Sequence, residues 1–256
     1  MGKNFRFFLL VLQGLLTLVF TLLFSYSLYQ AIQQGAETGP LISYYIPALL
    51  HLFVTLAAAI LLSKFYRSNI GAEAQFLPIL FLVIALENVK VLPVFFNATH
   101  HLILNFEWIS IIFQFCFLFS SFLFLASSLF LQNLNISKLG QYIAVSAAWS
   151  LFLSFIVPIS TNASSYYKVL SIASKPLVAV CMFITILAIL TFLISFLRDM
   201  EQRHILARCL SFTLIILGNT MMILSQVLSA TIVGLFFYIF GITFLLFTTR
   251  TYHIWT

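Results

Sequence analysis

The chain has 256 residues, of which 62% are hydrophobic and only 7% charged, and it carries a formal net charge of +6. Soluble domains hold about 25% charged residues, so the composition excludes a water-facing globular fold. Eight spans of roughly 20 residues with short loops leave no length for a soluble catalytic or ligand-binding domain.

The expected fold is all-α, a single polytopic bundle over residues 1–256 with both termini cytoplasmic, placed in the plasma (inner) membrane. The apolar run from Phe7 to Tyr29 exceeds the 7–15 residues of a signal peptide and reads as a retained first span. The remaining spans are expected over 43–63, 75–96, 102–131, 140–160, 167–197, 205–224 and 231–249, with Ser225–Ser229 making a tight turn between the last two. No repeat, low-complexity tract or linker divides the bundle.

Counting basic residues on alternate sides sets the orientation. One side holds Lys3, Arg6, Lys64, Arg67, Lys138, Arg198, Arg203, Arg208 and Arg250, while the opposite loops hold little beyond Lys168. Nine against one follows the positive-inside rule and requires an even number of spans. It also removes nucleic acid as the reason for the positive charge.

Small and polar residues at three- or four-residue spacing mark the faces through which membrane helices pair. The first span has Gln13, Thr17, Thr21 and Ser25, the fifth has Ser146, Ser150 and Ser154, and the fourth has Glu107, Ser110, Gln114, Ser121 and Ser128. All three stripes are expected to face inward.

Ionisable groups at membrane depth are few, and each costs about 3 kcal/mol or more at a helix centre unless paired or hydrated. Glu87 and Lys90 lie three apart in the third span with Asn88 beside them; Glu107, Lys175 and His51 enter the fourth, sixth and second spans. At 1.5 Å per residue all lie about 10–15 Å below the outer surface. Two carboxylates and two ammonium groups compensate in charge. The expected site is therefore an outward-opening polar pocket holding Glu87, Lys90, Glu107 and Lys175, with His51, Asn88 and Gln114 as further ligand-binding residues. Prolines at Pro47, Pro93, Pro158 and Pro176 fall in the same outer halves and would free backbone carbonyls toward it. The plainer reading is that these charges pair and lock the bundle.

Cofactor and metal chemistry find little support. Cys116, Cys181 and Cys209 sit in or beside apolar runs and read as packing residues. The adjacent His100 and His101 lack a spaced third ligand. The last span has no lysine for a retinal Schiff base, and no nucleophile stands with a base.

The function expected is a non-enzymatic receptor-like or accessory module, lying in the lipid bilayer and working with a membrane or cytoplasmic partner protein. A small-molecule or ion-coupled transporter and a membrane-embedded lipid-modifying enzyme are the alternatives.

Overall fold

In hydrocarbon no water satisfies backbone N–H and C=O groups, so an apolar run of spanning length must close its hydrogen bonds within itself as a helix. A computed structural model describes residues 3–35, 38–65, 73–99, 104–130, 138–157, 175–198, 203–224 and 228–253, and these residues are helical apart from short connecting ends. The helices are α1 (Lys3–Gln33), α2 (Thr38–Phe65), α3 (Glu73–Glu87), α4 (Leu92–Thr99), α5 (Phe106–Phe130), α6 (Leu139–Ile156), α7 (Lys175–Arg198), α8 (Arg203–Leu224) and α9 (Leu228–His253). Eight stretches are long and apolar enough to cross a membrane. The third of them, Phe76–Phe96, takes in most of α3 and the first part of α4.

The expected spans coincide with these stretches, and the differences lie at their ends and in the third. Leu228 and Ser229, assigned by sequence to a turn, already belong to α9, so the connection from α8 is shorter than expected. Residues 167–174, His100, His101 and Pro158 lie outside the described residues.

The third span is broken. Between α3 and α4, Asn88–Val91 form a 3-10 turn, closed by the Leu92 N–H to the Val89 carbonyl. Pro93 supplies the reason: it has no N–H to give Val89, the carbonyl four residues back. The donor one residue earlier takes that acceptor and tightens the helix.

The α8–α9 pair is packed backbone to backbone. A Cβ added at Gly218 would collide with the Tyr238 amide and would stand 2.6 Å from the Gly234 carbonyl oxygen. One added at Gly241 would stand 2.8 Å from the Ile215 backbone nitrogen. Glycine at these positions allows the close approach that lipid-embedded helices use in place of hydrophobic drive.

The serine stripe of α6 does face inward, with Ser146, Ser150 and Ser154 buried while Trp149, Phe152 and Phe155 are exposed. On α5, Ser110, Gln114, Ser121 and Ser128 are buried as well. The α1 stripe differs: Gln13 and Thr17 are buried, but Ser25 is exposed and Ser27 takes its place inside. Four residues turn a helix by more than one revolution, so a strict spacing of four drifts off the buried face within three steps.

Two apolar clusters stack along the bundle. One contains Leu62, Phe76, Phe212 and Leu245, and the other contains Phe24, Tyr45, Leu92 and Leu177. They meet between Ile84 and Ala85 on the third span, between Cys116 and Phe117 on α5, and between Ile216 and Ile223 on α8. The buried polar side chains of the centre lie at that boundary.

Candidate functional site

Glu87 is the last residue of α3 and is 1% exposed. Ser120 of α5 donates its hydroxyl to Oε1 at 2.5 Å, and the Asn219 amide of α8 donates to Oε2 at 3.0 Å. A buried carboxylate is tolerable only when its oxygens are satisfied in this way. Two side chains from separate helices meet that demand, so the acid joins α3, α5 and α8.

Asn88 and Lys90 stand on the 3-10 turn that follows. The Asn88 amide lies 3.2 Å from Nδ1 of His51 on α2 and the same distance from the carbonyl of Ala85. Lys90, partly buried, donates from Nζ to the Met222 carbonyl near the C-terminal end of α8 at 2.6 Å. Lys90 thus reaches one of the last carbonyls of a helix, the end that favours a cation. Glu87 and Lys90 are both satisfied, but by different partners.

His51 extends the group toward α9. Its ring meets that of Tyr238 edge-on at 4.5 Å, and the Tyr238 hydroxyl lies 2.8 Å from Thr55, which donates to the His51 carbonyl. The Asn219 side chain adjoins the imidazole. Nε2 of His51 and Oδ1 of Asn219 are buried without a hydrogen-bond partner. A donor or acceptor left dry at such a position costs about 1–3 kcal/mol, and because the Asn219 side chain adjoins the imidazole, the ring nitrogen and the amide oxygen are each other's complementary partners.

A cavity of about 130 Å³ approaches the group from the end where α8 gives way to α9. Ser43, Tyr44 and Pro47 of α2 line one wall, Leu228 and Thr231 of α9 another, and Asn88 and Lys90 line it as well. Pro47 lies inside α2 and has no N–H for the Ser43 carbonyl. The cavity lies beside two of the places where proline disturbs a helix, with Pro47 on its wall and Pro93 three residues beyond Lys90.

The expected four-charge group is not what the helices assemble. Glu87, Asn88, His51 and Lys90 are brought together, whereas Glu107 and Lys175 stand exposed on the first turns of α5 and α7. Glu107 is the second residue of its helix, where a carboxylate meets unsatisfied N–H groups and needs no buried counter-ion. Lys175 opens α7 and sits at a helix end. Gln114 is buried on α5 and donates to Ser110 on the same helix. Although α5 packs against both α3 and α7, the partners of Glu87 come from α5 and α8.

Sequence reasoning missed Asn219, Ser120, Tyr238 and Thr55. Asn219 carried a usable signal, being a lone amide inside the apolar run of α8 beside Gly218. Among the described residues no three His, Cys, Asp or Glu side chains form a cluster suited to a metal ion. Comparison with protein families, curated proteins and solved structures gives no match.

Proposed function

We propose that this chain is a membrane-embedded receptor-like or accessory module that binds a small polar ligand in the Lys90 cavity and works with a partner protein. The observation that supports the reading best is the cavity itself, which leads from the end of the bundle to Lys90 and Asn88 on the interrupted third span. A lysine on the wall offers a cation and rotatable N–H donors, and Asn88 adds an amide. Both suit a ligand with a carboxylate or another oxygen acceptor. With the basic helix ends cytoplasmic, as the positive-inside rule has it, the cavity opens outward.

The 3-10 turn supports a second reading. Broken helices with charged groups at the break are where ion-coupled carriers place their sites, and a mid-helix 3-10 stretch often acts as a hinge. In that reading Glu87 is the coupling carboxylate, and movement about Asn88–Val91 exposes it in turn to either side.

Purification of the full chain from its native membrane in mild detergent separates the two. A companion protein retained at fixed stoichiometry supports the accessory module. A chain without a companion that dissipates a pH gradient in liposomes containing a pH-sensitive dye, and stops doing so as Glu87→Gln, supports the carrier.

A further inference from the structure

A second cavity lies at the opposite end of the bundle, between the start of α1, the end of α2 and the start of α3, about 30 Å³ in volume. Arg6, Gln13, Ser63 and Pro78 line it, with Leu10 and Phe81 among its apolar walls. Its polar lining differs from that of the Lys90 cavity. Arg6 and Gln13 are seven residues apart on α1, two helical turns, and so share one face.

Both offer donors with nothing to receive them. Nε of Arg6 is buried without a hydrogen-bond partner, and so is Nε2 of Gln13, whose residue is 1% exposed. A guanidinium is always charged and fits a phosphate or carboxylate through two parallel N–H bonds. An unpaired buried amide N–H is costly enough that such groups are nearly always satisfied. The two donors therefore call for an anion near the rim and a neutral oxygen acceptor deeper between the helices.

We propose that the mouth of this cavity binds the phosphate of a ligand, with a single oxygen acceptor entering the interior of about 30 Å³, and that its source is an anionic glycerophospholipid of the surrounding leaflet. Free phosphate would satisfy Arg6 but leave Gln13 dry. A glycerophospholipid carries a phosphate at headgroup level and ester carbonyls below it, in the order in which Arg6 and Gln13 follow one another along α1. Leu10, partly buried on the same wall of α1, offers the acyl chains an apolar path out of the cavity. Because this end of the bundle carries the basic excess, it would face an anionic leaflet surface.

The test uses the full chain in neutral detergent, stripped of lipid, with dioleoylphosphatidylglycerol, dioleoylphosphatidylcholine or inorganic phosphate added back, and reads both the lipid retained in native mass spectra and the unfolding midpoint. Phosphatidylglycerol is expected to be retained and to raise the midpoint, phosphatidylcholine to bind more weakly, and inorganic phosphate to leave the midpoint unmoved. Arg6→Gln should weaken phosphatidylglycerol retention about tenfold, the loss of a charge-assisted hydrogen bond. Gln13→Leu, which removes the deep donor without touching charge, should weaken both lipids alike. Equal retention by the wild-type chain and Arg6→Gln overturns the site, and stabilisation by inorganic phosphate equal to that by lipid overturns the assignment to lipid. Should Arg6→Gln not fold, indifference of the wild-type midpoint to phosphatidylglycerol overturns the proposal, and lipid-specific stabilisation lost in Gln13→Leu sustains it.

Discussion

Asn219 on α8 donates its amide to Oε2 of Glu87 on α3 at 3.0 Å, across 132 residues of chain, while Ser120 of α5 holds the other oxygen. Glu87→Ala would leave the Asn219 amide without this acceptor, whereas Ser120 retains the Phe117 carbonyl. The variant is expected to lose about 2–3 kcal/mol, the cost of stranding a buried donor. Asn219→Leu should cost a similar amount by leaving the carboxylate half-satisfied. The double variant should lose less than the sum, with a coupling of about 1–3 kcal/mol, measured by unfolding of the purified proteins in detergent.

Gly218 sets the distance between α8 and α9, because a side chain there runs into the backbone of Tyr238 and Gly234. Gly218→Ala is expected to destabilise by about 1–3 kcal/mol through overpacking. Gly14 lies in α1 with nothing within 4 Å of an added Cβ. Gly14→Ala should be neutral or stabilising by about 0.5–1 kcal/mol through helix propensity. Paired unfolding midpoints of the two variants test the contrast.

Tyr238 divides into a ring that packs on His51 and a hydroxyl beside Thr55. Tyr238→Phe keeps the ring, and Thr55 keeps the His51 carbonyl, so the loss should be about 1 kcal/mol. Tyr238→Leu loses the aromatic contact as well and should unfold at a lower temperature than Tyr238→Phe.

Pro93 breaks the third span by withholding a donor from Val89. Pro93→Ala restores that donor and is expected to let the span run as a continuous α-helix, turning Lys90 away from the Met222 carbonyl. The protein should remain as stable or become more so, while water access to the Lys90 cavity falls. The rate of thiol labelling at Ser43→Cys, compared with and without Pro93→Ala, reads the change.

The eight spans were legible because hydrocarbon thickness imposes a length that apolar runs reveal directly. The break in the third span was less so: Pro93 was visible, but its effect depends on which donor takes the Val89 carbonyl. At the site, sequence depth brought out Glu87, Lys90, Asn88 and His51 together. It also drew in Glu107 and Lys175, because depth along a helix says nothing of rotation about it or of where the helix begins. Asn219 and Ser120 were missed because neutral partners of a buried acid look like ordinary packing residues. Nor did any GxxxG pattern within the spans point to Gly218, whose opposing glycine, Gly234, lies on the next helix.

We infer that the Lys90 cavity is a water-accessible pocket opening on the outer side of the membrane. Ser43→Cys and Thr231→Cys, each introduced singly, place a thiol on its wall, and Ser150→Cys gives a control buried on α6. Intact cells or right-side-out vesicles exposed to a membrane-impermeant maleimide should label both cavity variants and spare Ser150→Cys and the wild-type chain, whose Cys116, Cys181 and Cys209 are buried. Labelling of neither cavity variant, or labelling of both only after the inner face is opened to the reagent, would contradict the account.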